Sequence, residues 1–226
     1  METDSYKGSL WFYFGNKICD SFAIGTVPYY VKFILGRESS DITLLLAMFI
    51  LAQLFAVPIW TKIAKKVGFR KTMIYAGFCQ AFLTLPLFFI REFTVAIPFF
   101  FIAGFGNGGM WTMLAPIFSE VLDELSLKTG KRDSGVFVGI NTFFGRFSII
   151  FFTVFTVLVH WLTGFNADAG IGTNTQTELA KNGILFLLVG IPVIFLAFAI
   201  FMFKRLYDIK GEKKEEIERK KKELGI

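Results

Sequence analysis

Six stretches of this chain are long and apolar enough that water cannot be their solvent: Leu10 to Leu35, Ile42 to Trp60, Thr72 to Ile90, Thr94 to Phe118, Val136 to Trp161 and Gly183 to Phe203. Each approaches or exceeds the roughly 20 residues a helix needs to cross a bilayer core of about 30 Å. Spanning strands would alternate apolar and polar residues over about ten positions, a pattern these runs lack. The expected fold is therefore all-α: an integral membrane bundle of six helices over residues 1–203, followed by a charged tail over 204–226. The first run carries Lys17 and Asp20 and follows Glu2 and Asp4 instead of a basic segment, so it reads as a span and not as a cleavable signal.

Charge then sets orientation. The 24 Lys and Arg exceed the 18 Asp and Glu, but without the aromatic interleaving of a nucleic-acid surface. Lys7, the group Lys62, Lys65, Lys66, Arg70 and Lys71, then Lys128, Lys131 and Arg132, and nine residues from Lys204 to Lys222 fall on one side; Lys32, Arg37, Arg91 and Lys181 fall on the other. Basic residues are retained in the cytoplasm, which predicts two cytoplasmic termini and a multi-pass protein of the cell membrane. Trp11, Trp60 and Trp161 are expected at the headgroups, and Trp111 at the middle of the fourth span. The tail's Glu215/Arg219, Glu216/Lys220 and Glu218/Lys222 spacings favour a solvated helix, with a role at an anionic lipid surface as the alternative.

Chemistry-bearing groups are few. Cys19, Cys79 and the lone His160 have no metal-ligand spacing, and no set of nucleophile, base and orienting acid suggests an enzyme. Gly104, Gly106, Gly108 and Gly109 lack the Lys-Ser/Thr ending of a nucleotide loop; Gly104/Gly108 and Gly135/Gly139 instead form small faces on which helices approach closely. All six prolines lie inside spans, as suits a bundle that rocks between states, with a static bundle as the alternative. Ionisable residues at membrane depth are costly and usually face a cavity or a partner. Asn16, Lys17 and Asp20 share one face of the first span, where the charges either neutralise each other or line a pathway. Gly135, Gly139, Thr142, Arg146, Thr153 and His160 form a stripe on the fifth, with Asn141 beside it. Arg146 either lines a polar site or pairs with a loop acid.

The connection from Ser119 to Arg132, with Glu120, Asp123, Lys128-Thr129-Gly130-Lys131-Arg132, resembles the run between the tenth and eleventh helices of the glycoside-pentoside-hexuronide cation symporters, the melibiose-permease branch of the major facilitator superfamily. Ser119-Glu120 stands where that family has Ala-Asp. Val27 to Gly36 is similar to the ending of the family's seventh helix, Tyr207 to Leu224 to its closing tail, and Gly68-Phe69-Arg70-Lys71 to the superfamily's basic loop. The likeness runs nearly end to end over the carboxyl-terminal half of a family member. It implies a 3+3 inverted repeat that works by alternating access with an amino-terminal half or a second copy of itself, and a sodium- or proton-coupled symport of a sugar, glycoside or uronide with no other cofactor. It also implies that the cation ligands lie on the missing half, and that Glu120, Asp123, Lys128, Lys131 and Arg132 form a cytoplasmic gate loop. Trp111, Asn141, Thr142 and Arg146 correspond to the solute cavity: the indole face meets a sugar ring while Asn, Thr and Arg hydrogen-bond its hydroxyls or carboxylate. Arg in place of the family's Lys favours an acidic partner. The alternative to a transporter half is a non-transporting membrane scaffold or regulatory subunit.

Overall fold

The computed structural model describes residues 3–130 and 134–224, except the side chains of Lys222 and Leu224. Every regular element among the described residues is helical. The chain forms α1 (Asp4–Tyr29, continued by a wide π-type turn at Tyr30–Ile34), α2 (Ser40–Val67), α3 (Phe69–Thr84, tightening into a 3-10 turn at Leu85–Phe88), α4 (Phe93–Thr129), α5 (Ser134–Thr163), α6 (Glu178–Leu206) and α7 (Glu212–Leu224). Of these, α2, α4, α5 and α6 are long and apolar enough to cross a membrane. The charge-bearing α1 and the 16-residue α3 do not qualify on those grounds alone.

Several expected boundaries move. The longest change is at α4, where the expected span to Phe118 and the gate loop after it form one helix of 37 residues running to Thr129. At 1.5 Å per residue it is about 55 Å long, so its last turns extend well beyond a hydrocarbon core. It ends at Gly130, whose φ of 70° is left-handed and whose N–H closes on Ser126 O at 2.9 Å. Lys131 and Arg132 lie outside the described residues. Within α6, the π-type turn at Phe186–Gly190 immediately precedes Pro192, which has no N–H to donate to the ordinary helical pairing.

The helices alternate in direction, so one end of the bundle gathers the start of α1, the α2–α3 turn, the end of α4 and the tail. There the Ser5 hydroxyl bonds the Asp208 carboxylate, and Arg70 donates to the carbonyls of Tyr207 and Lys204 at 3.1 and 2.9 Å, capping α6. At the opposite end Tyr30 Oη donates to Ile90 O at 3.0 Å and Gly172 N to Lys32 O at 3.2 Å. The packing has an internal regularity. α1 packs on α5 and α6, and α4 packs on α2 and α3. Exchanging the first three helices for the last three in order maps one set of contacts onto the other.

Glycine explains how α4 gets so close. A Cβ at Gly104 would sit 2.2 Å from Phe49 O, at Gly106 2.5 Å from Gln80 Cα, and at Gly108 2.8 Å from Gln53 Cα. Dispersion across these backbone contacts substitutes for the hydrophobic drive that lipid cannot supply between helices. The small face expected at Gly135 and Gly139 is a correction: a Cβ at either meets nothing within 4 Å, because both lie on the exposed side of α5 while Phe137 between them packs on Tyr6 and Phe118. Trp60 is a second one. It is buried under Gly109 with its Nε1 donating to Phe105 O at 3.0 Å, a core residue and not a headgroup anchor. Trp161, 79% exposed, does lie on the surface near the end of α5.

Gly104→Ala and Gly106→Ala should therefore each destabilise the purified protein by about 1–3 kcal/mol through overpacking against backbone, whereas Gly139→Ala should leave its thermal unfolding midpoint unchanged. Equal midpoints for all three would contradict the α4 contacts.

Candidate functional site

Positions 13, 17, 20 and 24 of α1 recur at helical spacing and so share a face. That face, with Trp111 of α4 and Thr142, Gly145, Arg146 and Ile149 of α5, encloses a cavity of about 720 Å³. Ser21 and Ser148 join α1 to α5 across it, Oγ to Oγ at 2.8 Å. Gly25 and Gly145 permit the closest approaches: a Cβ at the first would strike the Phe152 ring at 2.2 Å, and one at the second would press on Tyr13 Oη at 3.0 Å.

The polar groups meet around Asp20. Asn107 Nδ2 donates to Asp20 Oδ1 at 3.0 Å, and Lys17 Nζ stands 4.0 Å from Oδ2. That ammonium also lies 4.2 Å from the centre of the Trp111 ring and 5.7 Å from that of Tyr13, a cation–π arrangement on two aromatic faces. Arg146 has no ion-pair partner within 4.0 Å among the described residues. Asp20, Ile24 and Trp111 also line a second, mostly apolar cavity of about 360 Å³ bounded by α1, α2, α3, α4 and α6, with Gln53, Gln80 and Thr84 as its neutral polar groups.

The sequence-derived candidates are thus distributed unevenly. Lys17, Asp20, Trp111, Thr142 and Arg146 line one cavity. Asn141 is buried next to it in the chain but does not line it, and both its amide atoms lack partners, as do those of buried Asn16. The α5 stripe does not stay together either. Thr153 is exposed and bonds Ile149 O, while His160 stacks on Phe165 at 4.0 Å, near Tyr29 at the far end. Tyr13, Ser21, Asn107 and Ser148 were not singled out in the sequence. The four-residue steps from Tyr13 to Lys17 and from Asn107 to Trp111 are the signal that would have found the first and third.

The basic end carries a second polar assembly. Glu120, Asp123 and Glu124 project from the extended end of α4 and are met by the tail: Lys214 lies 2.6 Å from Glu120, Lys221 2.7 Å from Asp123, and Lys213 2.7 Å from Glu124 and 2.6 Å from Asp208. Lys128 adds a contact to Glu124 at 3.3 Å, and Tyr207 Oη donates to Glu120 at 2.5 Å. Burial, with Glu120 beside it, pushes the Tyr207 hydroxyl above its ordinary range. The tail is not a free solvated helix. Of its own expected pairs Glu216–Lys220 forms, at 2.5 Å, Arg219 lies 3.9 Å from Glu223 instead of pairing with Glu215, and Glu218/Lys222 involves a side chain outside the described residues. Among the described residues Arg146 makes no ion pair with a loop acid, and Glu120 and Asp123 are met by the tail lysines instead.

A family model described as MFS/sugar transport protein matches residues 9–211, nearly the whole bundle. The chain belongs to this sugar-transport family. A search of curated proteins found no match. Membership makes the protein a multi-pass membrane transporter and not an enzyme; the cavity between α1, α4 and α5 of this sugar-transport-family bundle is lined by aromatic faces, hydroxyls and charges. His, Cys, Asp and Glu form no metal-binding group among the described residues.

The tail contacts predict a charge-dependent dock. The triple variant Lys213→Ala, Lys214→Ala, Lys221→Ala should raise the rate of tail cleavage by glutamyl endopeptidase several-fold at low salt, as should high salt in the unaltered protein. Acid should act in the same direction. Burial opposes the Asp208 charge, but hydrogen bonds from Lys213 and Ser5 outweigh it and hold the carboxyl below its ordinary value. A depressed carboxyl stabilises the folded contact above that ordinary value, about pH 4, and the contribution is lost as pH falls through the lowered one. Cleavage independent of both salt and charge would rule the dock out.

Proposed function

We propose that the chain is the carboxyl-terminal-type half of a sodium- or proton-coupled symporter for a sugar, glycoside or uronide, related to the melibiose-permease branch of the superfamily. The observation that carries this reading is the cavity of about 720 Å³, with Trp111, Thr142 and Arg146 on its wall together with the Lys17/Asp20 pair. An indole face suits the C–H face of a sugar ring, a threonine hydroxyl both donates to and accepts from sugar hydroxyls, and a guanidinium offers a planar fork of donors. Asn141, buried one residue from Thr142, is assigned to the same wall once a solute or a partner helix engages its free amide.

The interleaved contacts support a 3+3 repeat of six spans, the architecture in which two such halves rock about a site at their interface. Apolar side chains such as Phe143, Val154 and Val157 face outward from α5, as do Leu54 and Phe55 from α2, suiting lipid or a second half. The partner is an amino-terminal-type half or a second copy. The collected basic residues at the end shared by Thr3 and the tail favour two cytoplasmic termini, and with them a cytoplasmic gate of Glu120, Asp123, Lys128 and the docked tail.

Orientation is open to direct measurement. In a background with Ser at positions 19 and 79, Ser40→Cys and Asn174→Cys should react with an impermeant thiol reagent from outside intact cells, and Lys65→Cys and Lys210→Cys only after permeabilisation. The reverse pattern would invert the topology. For the site, Arg146→Ala should weaken solute binding by about 10- to 100-fold, the loss of a charge-assisted hydrogen bond of about 1.5–3 kcal/mol. Its melting temperature should stay within a degree or two of the parent, since no acid depends on this cation. Binding of labelled sugars and uronides, measured alongside thermal melts, checks both. Normal affinity with lost stability would remove Arg146 from the site.

A further inference from the structure

We infer that this cavity takes a solute carboxylate between Lys17 and Arg146, and that Lys17 leaves Asp20 to reach it, so that each anion bound brings one proton onto Asp20. The inference rests on the cavity being the solute site, and adds the class of solute and the place of the coupling proton.

Three observations converge. Arg146 lines the cavity with no ion-pair partner among the described residues, and a cation at membrane depth requires one. Lys17 is shared, not locked: its ammonium is 4.0 Å from Asp20 Oδ2, at the outer limit of an ion pair, and 4.2 Å from the Trp111 ring centre. It therefore occupies the indole face that a sugar would use. A neutral sugar stacking there must displace the ammonium and offers it only hydroxyls, whereas a uronate offers a carboxylate in exchange. Third, once Lys17 departs Asp20 keeps a single neutral donor, Asn107 Nδ2 at Oδ1, and no paired cation.

Charge balance selects the solute and locates the proton. Across the lining of this cavity two cations face one acid, so an anionic solute is attracted there, and its charge placed beside Asp20 disfavours the ionised carboxyl. Once Lys17 turns to the solute, Asp20 has no cation of its own, and an uncompensated carboxylate removed from water neutralises instead of remaining charged. The proton comes from the aqueous phase and forms an O–H bond at Oδ2, the oxygen Lys17 vacates; no other bond forms or breaks. One negative and one positive charge enter together, and the site's net charge is the same before and after. The charged and titratable groups facing Asp20 are Tyr13, Lys17 and Cys19 of α1 and Arg146 of α5; α2, α3, α4 and α6 present neutral side chains to it among the described residues, with Gln53, Gln80, Asn107 and Pro192 among them.

Calorimetric titration of the full chain in lipid nanodiscs at pH 7, with glucuronate and with glucose, in two buffers of different ionisation enthalpy, tests this. Glucuronate should bind at least about tenfold more tightly than glucose and take up about one proton. Asp20→Asn should retain glucuronate binding and lose the proton uptake. Lys17→Met should lose uptake as well, because its Asp20 is already neutral, and bind glucuronate about tenfold more weakly; it carries the test if Asp20→Asn does not fold. Glucose bound as tightly as glucuronate would overturn the anion preference and leave a sugar site standing. Glucuronate binding without proton uptake, or uptake that persists in Asp20→Asn, would overturn the role of Asp20. Binding of neither sugar would overturn this inference together with the sugar-site reading beneath it.

Discussion

Backbone contact between α4 and its neighbours is the constraint on which the rest of the structure depends. Lipid tails are as apolar as Leu and Phe, so burying such side chains between helices releases no ordered water and provides little reason to associate. What remains is dispersion, which falls off within an ångström of contact. Gly104 and Gly108 bring α4 onto α2, and Gly106 brings it onto α3, at distances no side chain would allow. With α4 pinned on two sides, its third side presents Asn107 and Trp111 toward α1.

That placement makes the polar chemistry possible. Asp20 would be an isolated carboxylate at membrane depth were it not for Asn107 and Lys17, and Lys17 would be an isolated ammonium without Asp20 and two aromatic faces. The geometry leaves this cluster loosely held: a 4.0 Å ion pair with neutral helpers is easier to open than a bidentate one. The same contrast separates the two ends of the molecule. At the tail, contacts of 2.6–2.7 Å between lysines and the acids of α4 form a tight network, while mid-bundle Lys17 stands back from Asp20.

How α4 is used shows why the two assemblies coexist. Its apolar first turns lie in the core, and its last turns carry Glu120, Asp123 and Glu124 to where the tail can reach them. A loop at that place would have no fixed direction. One continuous helix carries both Trp111 at the cavity and Glu124 under the tail, with Pro116 between them.

The sequence by itself determined the solvent, the all-helical class, the alternation of basic and neutral ends, and the candidacy of Lys17, Asp20, Trp111 and Arg146, because each follows from local cost: an apolar run cannot stay in water, and a charge in such a run needs a reason. Helical spacing also placed Thr142 and Arg146 on one face. Only the tertiary structure decided which faces meet. It brought Lys17 over Trp111, far away in the chain, left Gly135 and Gly139 without a neighbour, buried Trp60, and gave Glu120 and Asp123 to the tail lysines instead of to Arg146. Spacing along a helix fixes an angle about its own axis, but not the distance or rotation of the helix packed against it, and those are set by the contacts of both surfaces at once.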